Sequence, residues 1–130
     1  MRGQASLEFL AFVGISLAIL VVFSLVSYGR NLELQRESAW VAGWSACKQV
    51  AFEIDAAYNV GDGYEHSFAL PAKLDNRLDY SVEFVPAERS VWMNWSGDEC
   101  YLPVLASQVE GAINKGYNRV ENDGGVVRFG

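Results

Sequence analysis

From Phe9 to Gly29 the chain runs 21 residues without a charge, and beyond that its apolar positions thin into a helical repeat. At 1.5 Å per residue, a helix over the first run covers about 30 Å, the thickness of a bilayer's hydrocarbon core. Leu17, Leu20, Val21, Val22 and Phe23 leave it apolar on all sides. Such a helix must be surrounded by lipid or by other helices. Past Gly29, the positions Trp40, Trp44, Cys47, Ala51, Ile54 and Tyr58 follow the spacing i, i+4, i+7, i+11, i+14 and i+18, one face of a helix. Arg36, Glu37, Lys48, Glu53 and Asp55 supply the polar face. No proline interrupts residues 4–58, and Gly29 and Gly43 are the candidate bends. The pattern predicts one long helix, hydrophobic over 4–29 and amphipathic over 30–58, stopped by Asn59-Val60-Gly61-Asp62-Gly63.

Residues 59–130 follow a different period. Ser67–Leu70 reads as a short strand closed by Pro71. Tyr80-Ser81-Val82-Glu83-Phe84 alternates as a half-buried strand does. Pro86-Ala87-Glu88-Arg89 turns the chain, and Val91, Met93 and Trp95 share one face of the next strand. Ser96-Gly97-Asp98 turns it again into Tyr101–Leu105, where Pro103 predicts an edge position. Asn122-Asp123-Gly124-Gly125 predicts a hairpin joining Tyr117–Glu121 to Val126–Phe129. Residues 107–115 carry no clear period. The expected fold is α+β: a long N-terminal hydrophobic helix, with a small antiparallel sheet packed on the apolar face of its C-terminal half.

The residues ahead of the apolar run add a motif. Arg2-Gly3-Gln4-Ala5-Ser6-Leu7-Glu8-Phe9 places a basic residue and a glycine before the run and a lone carboxylate, Glu8, at its start. This arrangement resembles the processing site of type IV pilin precursors. Within that family it is similar to the archaeal class whose signal ends in Gly and whose mature chain opens Gln-x-Ser-x-Glu. The resemblance covers the leader and the apolar run. It implies that a membrane-embedded prepilin peptidase cuts between Gly3 and Gln4, removing residues 1–3 and leaving the helix on the mature chain. An ordinary secretory signal, with an apolar core of roughly 7–15 residues, would be lost whole. A plain uncleaved anchor is the competing reading.

The same resemblance implies that Gln4 and Glu8 serve assembly. A carboxylate at the membrane edge is costly and usually has a partner, although an acid in a helix's first turn is also favoured by the macrodipole. Ala11, Gly14 and Ala18 form a strip of small residues, of the kind that lets helix backbones approach in lipid. Gly and Ala are also common in membrane helices for no such reason. The family places the N-terminus in the cytoplasm and the head outside.

Charge narrows the partners. Arg2 and Glu8 are the two charges before Gly29, so the whole net charge of −6 resides in the remainder. Phosphate binding wants a basic stripe, which argues against nucleic acid. Arg30 and Arg36 beyond the span are accompanied by Glu33 and Glu37, so Lys and Arg alone do not orient it.

Outside the membrane, the even pair Cys47 and Cys100 is expected to form a disulfide, the alternative being two buried thiols. Asn94-Trp95-Ser96 is an N-glycosylation triplet opposite the Met93 and Trp95 face. Catalysis finds no support: His66 is the single histidine, and His66 with Glu65 and Asp62 lacks metal-ligand spacing. Asp75, Asn76 and Asp79 are better read as a turn than as a calcium site. The expectation is a non-enzymatic protein without cofactor or metal. It would be a structural subunit polymerising with its own copies, through its N-terminal helix, into an extracellular pilus for surface adhesion. Its implied partners are the prepilin peptidase, the pilus assembly platform and, before assembly, the membrane. The alternatives are a minor pilin or membrane-anchored adhesin and, ranked lower, an archaellin-like subunit.

Overall fold

The computed structural model describes residues 2–130; Met1, the first residue of the expected leader, lies outside the described residues. One helix, α1 (Arg2–Val60), is followed by β1 (Glu65–Leu70), β2 (Ser81–Val85), β3 (Ser90–Trp95), β4 (Asp98–Pro103), β5 (Val109–Glu110), β6 (Gly116–Asp123) and β7 (Val126–Phe129). The class is α+β, as the periodicity predicts. Two compact units divide the chain, the first ending at Glu37 and the second being Ser38–Gly130.

The helix stops where the glycines stand. Gly61 takes φ +90° and its N–H donates to the Ala57 carbonyl at 3.2 Å. That is the left-handed C-terminal cap at which a residue without Cβ carries no steric penalty. A second donor reaches the same carbonyl from far along the chain: Asn122 Nδ2, at 2.8 Å. Asn122 is buried, and its Oδ1 accepts from Gly125 N at 2.9 Å. One side chain thereby satisfies the helix end and the β6–β7 hairpin together.

In the second unit the strands form two sheets rather than one. Strands β2-β3-β4 form an antiparallel sheet with β3 central; β1-β6-β7-β5 form the other, in which β5 pairs with β7 in parallel. Residues 107–115 hold β5, whose two residues are too few to show a period. Pro103 does end the edge strand β4. Two hairpins close on two-residue turns with both φ positive, Ser96-Gly97 (46°, 88°) and Gly124-Gly125 (62°, 92°). This is the type I′ geometry that matches strand twist. The predicted strand bounds shift accordingly: Asn122 and Asp123 belong to β6, and β4 begins at Asp98 rather than Tyr101.

The core joins both sheets to α1. Val91, Met93, Trp95 and Cys100 come from the first sheet, and Phe68, Leu70, Val120, Val127 and Phe129 from the second. The helix contributes Ala46, Cys47, Val50, Ala51, Ile54 and Ala57, with Ala39 and Gly43 also buried. The buried helical face is thus made largely of small residues. Trp40 and Tyr58, expected on it, are exposed, and Glu53, expected on the polar face, is buried. Small side chains let the sheets approach the helix axis, whereas an indole at position 40 would hold them off.

Candidate functional site

Within the first unit, the helical stretch from Leu7 to Val26 turns its large apolar side chains outward. Leu7, Phe9, Phe12 and Phe23 are each about 70% exposed (72, 69, 71 and 70%), and Leu10, Ile15, Leu17, Ile19, Leu20, Val21, Val22, Leu25 and Val26 are exposed too. This helix is long and apolar enough to cross a membrane. Ser16 and Ser24, two of the hydroxyls within the run, donate back to the carbonyls of Phe12 and Leu20 at 2.9 Å. They therefore expose no unmet donor to a hydrocarbon environment.

The residues singled out for processing and assembly lie along this segment. Gly3 and Gln4 stand in the first turn of α1, with Glu8 a turn beyond Gln4. Ala11, Gly14 and Ala18 are exposed on the same helix. A Cβ built at Gly14 would meet nothing within 4 Å. A glycine inside a helix costs about 1 kcal/mol relative to alanine, and no contact within the described residues accounts for it. None of the salt bridges between described residues involves Glu8.

In the second unit Cys47 and Cys100 are bonded, with Cα atoms 6.6 Å apart, tying α1 to β4. Asn94 lies on β3, paired with Ser81 and Glu99, on the face opposite Met93 and Trp95. Comparison with protein-family models, with curated proteins and with solved structures returns no match to this chain. The architecture is type IV pilin-like. A long apolar N-terminal helix carries a β-sheet head packed on its C-terminal half.

The polar groups considered as metal sites are dispersed by the fold. Asp62 accepts from Gly124 N at 2.8 Å, Glu65 pairs with Arg119 at 2.6 Å, and His66 turns to Glu53 at 2.9 Å. His66 lies in β1. Asp75 and Asn76 take positive φ in a turn closed by the Leu74–Leu78 bridge, as their sequence predicts. Asp75 pairs with Arg77, whose hydrogen bond holds the carboxyl below its ordinary range, and Lys115 does the same for Asp79. Among the described residues no group of three or more His, Cys, Asp or Glu could hold a metal ion.

Two features escaped the sequence. Trp40 and the half-buried Trp44 lie 5.6 Å apart, tilted by 46°, with the Lys48 ammonium over the Trp44 ring, and line a shallow groove along α1. Trp92 and Tyr101 form a second aromatic pair on the outward face of the three-stranded sheet. Alternation along β3 and β4 contained the latter signal, because Trp92 and Tyr101 fall out of phase with the core positions Met93 and Cys100.

Proposed function

We propose that this chain is a structural subunit of an extracellular type IV-like pilus. In this reading it polymerises with its own copies through residues 4–29 and presents the β-rich head for surface adhesion. The observation that carries the proposal is the exposure of every large apolar side chain from Leu7 to Val26. That surface needs lipid or other helices around it. A filament subunit uses both in turn, lipid before assembly and neighbouring helices after it, so the same side chains serve both states. Gly14, where an added Cβ would meet nothing within 4 Å, supports close approach by a second helix. The disulfide supports export, since such bonds persist in oxidising surroundings.

Release of residues 1–3 by a prepilin peptidase belongs to the same proposal. Gly3 and Gln4 sit in a terminal helical turn whose N–H groups have no intrahelical acceptors, so the turn opens at little cost. Electron microscopy of cells with and without the gene tests the reading. Loss of a surface filament with the gene supports a major subunit. An unchanged filament population would leave the membrane-anchored adhesin or minor pilin as the better account.

A further inference from the structure

The outward face of β2-β3-β4 combines a modifiable amide with an aromatic floor. Along β3, Trp92 and Asn94 are two residues apart and therefore on one side of the sheet. Register places Tyr101 beside Trp92, and Ser81 and Glu99 on either side of Asn94. The two rings lie 6.2 Å apart, tilted by 36°. Tyr101 is 47% exposed. Glu99 accepts the indole N–H of Trp92 at 3.2 Å, which fixes the ring's orientation. Glu83, beside Trp92 in the register, adds a further carboxylate. Partial desolvation, and then the charges of Glu88, Glu99 and Glu83, push the Tyr101 phenol up. Aromatic faces ringed by hydrogen-bond acceptors suit a ligand with apolar C–H faces and many hydroxyls, which is the chemistry of a sugar.

We infer that Asn94 is N-glycosylated, and that the attached sugar lies on Trp92 and Tyr101 with hydroxyls toward Glu99 and Glu83. The occupant is the covalent glycan because Asn94-Trp95-Ser96 meets the acceptor requirement and its amide stands one strand repeat from the Trp92 ring. The donor is a sugar activated as a lipid-linked glycosyl phosphate, handled by a separate membrane glycosyltransferase. Asn94 Nδ2 attacks the anomeric carbon, a C–N bond forms, and the C–O bond to the phosphate breaks. The lipid phosphate leaves with the bonding pair, and one amide proton is lost to the transferase base. The inference rests on the reading of an exported head; the covering of an aromatic face is additional to it.

The test uses the full chain isolated from its own cells, digested and weighed, alongside Ser96→Asn. That variant removes the hydroxyl residue of the triplet, yet Asn-Gly is the favoured pair for a type I′ turn, so the hairpin is kept. A Cys47–Cys100 linked peptide in both digests reports folding. The Asn94 peptide is expected to carry the mass of at least one sugar in the wild type and none in Ser96→Asn. Hydroxyl-radical oxidation of Trp92 and Tyr101 is expected to rise several-fold in the variant, while Trp40 stays unchanged. An unmodified Asn94 overturns the inference, as does equal oxidation of Trp92 in the two proteins. Protease added to intact cells tells the two failures apart. An unmodified but accessible head removes only the glycan, and an unmodified, protected head removes the exported reading as well.

Discussion

Gly43 of α1 lies so close to the indole of Trp95 that a Cβ at position 43 would overlap the six-membered part of the ring. Trp95 is 1% exposed and among the largest fully buried side chains, so the ring has nowhere to move. Helix propensity alone favours Gly43→Ala by about 1 kcal/mol. Overpacking a filled core costs about 1–3 kcal/mol, and here the obstacle is a rigid ring rather than a flexible chain end. The net expectation is a loss of about 1 kcal/mol, or about 4–8 °C in the Tm of a domain this size. Gly43→Ala should cost less in a Trp95→Phe background, because the smaller ring makes room. The indole N–H of Trp95 has no partner, so its removal strands no acceptor. Thermal melts of the four proteins check this, and equal costs in both backgrounds would refute the contact.

The bond between Cys47 and Cys100 spans 53 positions of sequence. A loop of that size is worth about 4 kcal/mol in the chain-entropy model. Reduction, or Cys100→Ser, is therefore expected to lower the head's Tm by more than Gly43→Ala or His66→Ala does. Melting with and without reductant measures it. Quantitative thiol labelling of the unreduced protein should find neither cysteine reactive.

Glu53 carries a carboxylate whose side chain is only 7% exposed, held by His66 Nδ1 at 2.9 Å from β1. Removing a hydrogen-bond partner from a buried carboxylate costs about 1–3 kcal/mol. The half-exposed histidine lets water replace part of the contact, so the lower half of that range is expected for His66→Ala. In Glu53→Gln, which leaves no buried charge to strand, the same substitution should cost less. Chemical denaturation of the double-mutant cycle provides the measurement, and strict additivity would contradict the coupling.

This pair also marks where the sequence stops being legible. The helix, its glycine stop, the two turns at Ser96-Gly97 and Gly124-Gly125 and the cysteine pair all follow from local signals: uninterrupted apolar spacing, adjacent turn residues, an even thiol count. The buried face of α1 does not, because Ala39, Gly43 and Ala46 have little hydropathy and the exposed Trp40 has much. Glu53 reads as solvated until a strand that follows the helix supplies His66. β5 is two residues long, too few to carry a period, so its parallel pairing with β7 left no pattern to read. The apolar N-terminal segment was the most legible part of the chain, since an uncharged run of that length reads as one helix.

Cleavage after Gly3 would create an ammonium at Gln4, one helical turn from Glu8. A carboxylate drawn into an apolar filament core needs compensation, because an unpaired ion there costs several kcal/mol. The new amine of a neighbouring subunit is the proposed partner. Mature protein is expected to begin at Gln4 by N-terminal sequencing. Glu8→Gln is expected to be inserted and cleaved, yet to accumulate in the membrane without filaments. Normal filament length and yield from that variant would transfer the role of Glu8 to helix-dipole compensation.

Assembly through the apolar helix is tested most directly by a photoreactive leucine analogue at Leu17, within that surface. The probe barely alters the side chain and reacts with whatever covers it. Irradiation of surface material should give a ladder of multimers, with the label joined to residues 4–29 of another copy. Label found solely on lipid, with the chain monomeric, would contradict polymerisation through this helix and leave a membrane anchor in its place.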